Sequence, residues 1–118
     1  MKDCIFCRIV NKELPTEIVY EDDEILAFVD INGLAPVHIL IVPKEHIESI
    51  NDLDDKIGGK DLAGKLIMIA QKIARDKKIA SDGYKLLFRV SKHGQQEVPH
   101  IHLHLIGGAQ LEENIGVA

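Results

Sequence analysis

Apolar and polar residues repeat with two different periods along this chain, and the period separates helices from strands. Apolar residues recur at helical spacing in the best-defined segment, with lysines on the opposite face: Leu62, Leu66, Ile69 and Ile73. This pattern predicts a long amphipathic helix. A second, short helix is predicted over residues 3–13, because apolar residues follow the same spacing there and Pro15 ends the segment.

The remaining apolar runs are short and are separated by polar turns such as Asn32-Gly33 and Asp82-Gly83. They predict five strands, over residues 17–20, 24–30, 37–42, 84–90 and 98–106. Strands joined by tight turns, together with one long and one short helix, favour an antiparallel α+β fold. Without repeats or linker-like segments, residues 1–118 are expected to form one domain.

The last predicted strand carries three evenly spaced histidines, His100, His102 and His104. Side chains alternate between the two faces of a strand, so the histidines share one face and the intervening apolar residues pack on the other. Zinc binding, a polar face without function and nucleophilic chemistry are the three explanations. Zinc binding by all three rings is strained, because the outer Cα atoms lie roughly 13 Å apart on an extended strand. Attack by a neutral imidazole is therefore favoured.

Charge and composition limit the possible partners. The 118 residues carry a net charge of −5, with 46% apolar and 28% charged residues, as in an ordinary globular protein. No basic stripe is present, so nucleic acid and anionic membranes are not expected as partners, whereas a single nucleotide remains possible.

No signal segment or membrane span is recognised, which favours a cytoplasmic location. In a reducing cytosol, the pair Cys4-x-x-Cys7 indicates metal or redox chemistry rather than a structural disulfide.

The segment His100-Ile-His-Leu-His-Leu-Ile resembles the motif of the histidine triad (HIT) family. Three further blocks resemble its Hint branch, the nucleoside phosphoramidases: Cys4-Ile-Phe-Cys-Arg-Ile-Val, Ala27-Phe-Val-Asp-Ile and Ala35-Pro-Val-His-Ile-Leu-Ile-Val-Pro-Lys. The resemblance implies the HIT fold and hydrolysis of purine nucleoside 5′-phosphoramidates through a nucleotidyl–histidine intermediate. It also implies that catalysis requires no cofactor.

By the same resemblance, His102 is the nucleophile and the backbone carbonyl of His100 orients its ring. His104 contacts the phosphate, and His38 supports the triad. Asp30 accepts the ribose hydroxyls, and the phosphate is held by the loop of Gln96, Glu97 and Val98. The apolar walls around the purine are Ile5, Phe6, Ile9, Phe28, Ile31 and Leu40.

Two positions depart from the Hint pattern. Arg89 stands where those relatives have an asparagine that touches the phosphate, and Gln95 stands where they have a glycine. An arginine binds phosphate bidentately but is larger, and Gln95 is unfavourable if the loop requires a positive φ. These departures, and the Gln95-Gln96 pair, keep two alternatives open. One is a dinucleoside polyphosphate hydrolase of the Fhit type, and the other is a nucleotide-binding scaffold with weak catalysis.

The resemblance further implies a structural zinc site of Cys4, Cys7, His46 and His100, as in several bacterial members of the family. The alternative is that both cysteines are small buried side chains without a metal. His93 is expected to be exposed to solvent.

A homodimer with a ten-stranded sheet is also expected. The long helix has apolar residues outside its main stripe, Ile67, Met68 and Ala70, so two of its faces are expected to need cover. The strand over residues 84–90 is too apolar for an exposed edge. In Hint proteins both elements meet their symmetry mates. Arg89, at the end of that strand, reaches either the phosphate or the neighbouring protomer.

Overall fold

The computed structural model describes residues 3–118, which form two α-helices, one short 3-10 helix and five strands. The helices are α1 (Ile5–Val10) and α2 (Gly59–Asp76), and the 3-10 helix is Ile50–Asp52. The strands are β1 (Ile18–Glu21), β2 (Ile25–Val29), β3 (Val37–Pro43), β4 (Tyr84–Phe88) and β5 (Leu103–Gly107). None of the helices in this part of the chain has the length and apolar character that crossing a membrane requires.

The strands form one antiparallel sheet in the order β1-β2-β3-β5-β4. Its centre is β3, where Leu40 pairs with Phe28 of β2 on one side and with His104 of β5 on the other. The predicted antiparallel α+β architecture with five strands and two helices is confirmed.

The period of two along the strands divides the core between the two faces of the sheet. On one face, Ile41, Leu103 and Leu105 pack against the apolar stripe of α2. On the other face, Phe28 and Leu40 pack against α1. The predicted stripe of α2 is buried as expected, by Leu62, Leu66, Ile69 and Ile73.

The predicted strand over residues 98–106 is wrong in its first half, because β5 begins only at Leu103. β4 ends at Phe88, the partner of Leu103, and β3 pairs with β5 only as far as Ile41, so the segment before Leu103 forms no ladder. The amide of Ile101 instead donates to the carbonyl of Ile47 at 2.8 Å, and Pro99 has no amide hydrogen to donate. The alternation of faces survives nevertheless, because Ile101 is buried in the α2 core.

Other boundaries shift by smaller amounts. The short helix ends at Val10 rather than at residue 13, because Asn11 caps it and Lys12 turns to φ +63°. The fourth strand ends at Phe88, two residues earlier than predicted. The 3-10 helix was not predicted, although Ser49 and Asp52 form a capping box there.

Candidate active site

A cleft of about 760 Å³ opens on the α1 face of the sheet, beside the histidines. It is bounded by α1, the end of β2, the start of β3 and the loop that follows β4. The structure brings together these residues named from the sequence: Ile5, Phe6, Ile9, Phe28, Asp30, Ile31, His38, Leu40, Arg89, Glu97, Val98, His102 and His104. The predicted site residues therefore lie around one cavity, although they come from five separate segments.

Gln96 is the predicted nucleotide-site residue that does not line this cleft. Its side chain bonds the surrounding backbone, donating to the carbonyls of Glu48 at 2.7 Å and Val98 at 3.0 Å. It also accepts from the amide of Ser91 at 3.0 Å. Gln96 thus holds the loop in place through its side chain.

His102 is buried on the cleft side of the sheet, where its ring packs edge-on against Phe6 at 4.9 Å between centroids. Its Nδ1 lies 2.7 Å from the backbone oxygen of His100. A carbonyl oxygen only accepts, so Nδ1 must carry the hydrogen and Nε2 keeps its lone pair. The ring is thereby held in the tautomer whose Nε2 is a nucleophile.

A chain of hydrogen bonds assigns the hydrogens on His38 and His104 in the same way. The amide of Leu34 donates to Nδ1 of His38 at 3.1 Å, so the hydrogen of His38 is on Nε2. That nitrogen lies 2.9 Å from Nδ1 of His104 and donates to it. The remaining hydrogen of His104 is therefore on Nε2, a buried atom that has no partner within residues 3–118. A buried donor without a partner is costly, which indicates that a ligand completes it.

The electrostatics of the cleft keep these rings uncharged. Burial lowers the pKa of His104 to about 4, and repulsion from Arg89, and from His102 and His38 when they are protonated, adds to the effect. Burial also lowers the pKa of His102, against the opposing effect of its bond to His100. The pKa of His38 is lowered by burial as well, although Asp30, at 3.6 Å, raises it in part. All three are neutral imidazoles at neutral pH.

A second cluster lies beside the cleft and consists of Cys4, Cys7, His46 and His100. One potential ligand atom from each lies within 4.8 Å of the others. Nδ1 of His100 is 3.3 Å from Sγ of Cys4 and 3.5 Å from Sγ of Cys7, and Nδ1 of His46 is 3.3 Å from Sγ of Cys7. Bonds of about 2.3 Å to sulfur and about 2.0–2.1 Å to nitrogen put tetrahedral zinc ligands about 3.5 Å apart, so this donor set fits a metal ion.

The ring of His100 is oriented for this cluster by the strand next to it. Its Nε2 lies 2.8 Å from the carbonyl oxygen of Pro43, to which it donates, so Nδ1 presents its lone pair to the two sulfurs. The backbone oxygen of His100 also accepts the hydrogen bond from Nδ1 of His102. His100 therefore connects the cysteine cluster to His102 in the cleft.

The loop after β4 adopts the conformation that makes Gln95 an unusual choice. Gln95 has φ +63°, in the left-handed region that favours glycine. Its neighbour Gly94 is required on steric grounds, because a Cβ there would lie 2.4 Å from the backbone oxygen of Val90. His93 is exposed on this loop, as predicted.

Some cleft residues were not predicted. Leu34 anchors His38 through its amide, and Leu14, Pro15 and Thr16 line the end of the cleft after α1. Nothing in the local pattern marks Leu34 as part of the site. Its contact arises because the turn after β2 folds back onto the start of β3.

This chain matches the model of the HIT domain family over residues 11–111. It is 44% identical over 110 residues to a purine nucleoside phosphoramidase of Escherichia coli strain K12, covering 93% of this chain and 91% of the relative. The crystal structure of a HIT family hydrolase from Legionella pneumophila superposes with a TM-score of 0.90 at 44% identity, covering 97% of this chain and 100% of that one. A histidine triad protein from Clostridium difficile superposes with a TM-score of 0.91 at 39% identity, covering 98% of each chain.

The chain belongs to the HIT domain family. At this level the expectation of a HIT family hydrolase is confirmed.

Proposed function

We propose that this protein hydrolyses purine nucleoside 5′-phosphoramidates to a nucleoside monophosphate and an amine. The observation that carries the proposal is the 2.7 Å bond from Nδ1 of His102 to the oxygen of His100, which leaves Nε2 as a free nucleophile. The name of the Escherichia coli relative, a purine nucleoside phosphoramidase, supports the choice of substrate class.

In the proposed reaction, Nε2 of His102 forms a bond to the α-phosphorus while the bond from phosphorus to the amine nitrogen breaks. The amine takes up a proton from solvent water as it leaves, and the nucleotide remains covalently attached to His102. A water molecule then attacks the phosphorus and returns a proton to the solvent, while the bond from phosphorus to Nε2 breaks, which releases the nucleoside monophosphate and restores the free imidazole. The Nε2–H of His104, which has no hydrogen-bond partner among the described residues, donates to a phosphoryl oxygen as negative charge develops on that oxygen.

The nucleotide is proposed to lie along the cleft with its purine between α1 and β2. A carboxylate that only accepts is suited to a ribose diol, and Asp30 stands at the end of β2 with one oxygen bonded to the amide of Asn32 at 2.9 Å. The phosphate lies against the backbone of residues 96–98, next to His102 and His104. The apolar walls of the cleft around the purine are Ile5, Phe6, Ile9, Phe28, Ile31 and Leu40.

His102→Ala provides the test. Turnover of adenosine 5′-phosphoramidate is expected to fall by several orders of magnitude, while binding of adenosine monophosphate largely survives. His93→Ala, which changes an exposed histidine, serves as the matched control and is expected to leave turnover unchanged. Near-normal turnover by His102→Ala contradicts the mechanism.

The same assay separates the two alternatives, which the Gln95-Gln96 pair and Arg89 keep open. Faster turnover of diadenosine polyphosphates than of the phosphoramidate by the unaltered protein favours the Fhit-type reaction. Nucleotide binding without turnover of either substrate favours a scaffold.

We also propose that Cys4, Cys7, His46 and His100 bind one structural zinc ion. The support is the set of sulfur–nitrogen separations of 3.3–3.5 Å, together with the bond from His100 to Pro43 that turns Nδ1 toward the sulfurs. When bound, the ion would tie the N-terminal end of α1 to the two segments that carry His46 and His100. Because Phe6 lies between the two cysteines, this tie would also hold a wall of the nucleotide cleft.

The working unit is proposed to be a symmetric homodimer. β4 is an edge strand, because β5 is the one strand that pairs with it in the described part of the chain. It is half-buried, although its residues are mainly apolar. Ile67 and Met68 on α2 are 47% and 60% exposed. The expectation that Ala70 also needs cover from a partner is wrong, because it is buried in the core of the chain itself. A second copy paired along β4 would cover both features and join two sheets into one of ten strands.

A further inference from the structure

Arg89 is a cation in the cleft that forms no ion pair with any residue from 3 to 118. It follows β4 directly and lines the cleft together with His102 and His104. Its guanidinium joins none of the ion pairs within residues 3–118. Its charge nevertheless reaches the site, because it adds to the effect of burial in lowering the pKa of His38 and of His104.

The other charged residues that line the described cleft are both acidic, Asp30 and Glu97. The hydrogen-bond chain from Leu34 through His38 makes His104 a neutral donor, so His104 contributes a hydrogen bond and no net charge. Arg89 is therefore the one formal cation that the described residues place around this cavity.

A phosphate monoester carries about −1.5 to −2 charges at neutral pH. Moving such an anion out of water is costly unless a positive charge compensates it, and neutral N–H groups do so only in part. A guanidinium binds phosphoryl oxygens through two parallel hydrogen bonds and stays charged at any physiological pH. An amide side chain at the same position supplies hydrogen bonds without the charge.

Resting on the proposed nucleotide site, we propose that Arg89 makes this cleft select its ligands by the negative charge of the 5′ group. A nucleoside 5′-monophosphate, which is close to a dianion, then binds more tightly than the monoanionic phosphoramidate. Both bind more tightly than a neutral isostere. The reaction product is accordingly a competitive inhibitor, and Arg89 is the residue that makes it one.

Calorimetric titration with two ligands tests this inference. Adenosine 5′-monophosphate carries the charged group, and 5′-O-sulfamoyladenosine is a neutral analogue of similar shape. The variants are Arg89→Gln, which keeps hydrogen-bond donors and removes the charge, and Arg89→Lys, which restores a charge. Arg75→Gln removes an exposed arginine in the last turn of α2 and is the matched control.

Arg89→Gln is expected to weaken monophosphate binding about 10- to 100-fold, the range for a charge-assisted hydrogen bond, and to leave sulfamate binding within about twofold. Arg89→Lys should recover part of the loss, and Arg75→Gln should change neither affinity. Equal losses for both ligands, or no loss for the monophosphate, overturn the role of Arg89 while the nucleotide site stands. If the unaltered protein binds neither ligand, the proposed function fails together with this inference.

Discussion

His104 is expected to make the stability of this protein depend on pH in a measurable way. Its ring is buried and neutral, with Nδ1 accepting from His38 and Nε2–H without a partner within residues 3–118. Protonation would put two donors, Nε2 of His38 and Nδ1 of His104, against each other at 2.9 Å. Replacing His104 by Gln removes the titrating group and keeps a polar side chain at the position.

The magnitude follows from the two pKa values. A histidine in an unfolded chain has a pKa of about 6.5, whereas burial lowers the pKa of His104 in the folded chain to about 4. Between these values the unfolded state binds more protons than the folded state, so stability falls as the pH falls from about 6.5 toward about 4. At about pH 4.5 this single residue should cost about 2–3 kcal/mol of unfolding free energy relative to about pH 7.5.

Urea unfolding at these two pH values, at one protomer concentration, measures the effect. The loss of stability on acidification should be about 2–3 kcal/mol smaller in His104→Gln than in the unaltered protein, whatever the offset between them at the higher pH. His93→Gln, at an exposed position, should lose as much as the unaltered protein. An identical acid loss in His104→Gln and the unaltered protein refutes the assignment of a buried neutral ring.

Three further predictions concern the metal, the assembly and the loop. Protein purified without chelators should contain about one zinc per chain by elemental analysis; none, with both thiols freely titratable in the native state, rejects the site. Light scattering at micromolar concentration should give about twice the chain mass of 13.1 kDa, and a mass near 13.1 kDa with full activity contradicts the dimer. Gly94→Ala should destabilise the protein by about 1–3 kcal/mol and weaken nucleotide binding, because its Cβ would meet the oxygen of Val90 at 2.4 Å. Gly64→Ala, with open space around its Cβ on α2, should do neither, and equal behaviour of the two variants would show that the loop adapts.

The pattern of apolar residues in the sequence was sufficient to predict helix α2 and the buried face of the last strand. The stripe of α2 and the alternation of Ile101, Leu103 and Leu105 with the histidines predicted which side chains enter the core, because burial follows the helix and strand periods directly. The resemblance to the HIT family predicted most of the residues that line the cleft. Gln96 is the exception, because its side chain bonds the backbone of Glu48 and Val98 instead.

The tertiary structure decided what depends on partners far away in the chain. β5 begins at Leu103 because its pairing with β3 and β4 reaches only to that residue, and strand periodicity carries no information about where a neighbouring strand pairs. The tautomers of His38, His102 and His104 follow from acceptors and donors on other segments, such as the amide of Leu34. Cys4, the N-cap of α1, and Cys7 in its first turn lie close to His46 and His100 only in the folded chain, because the four residues come from segments far apart in sequence. Such contacts are set by folding of the whole sheet, because a hydrogen bond depends on distances in space that sequence spacing does not determine.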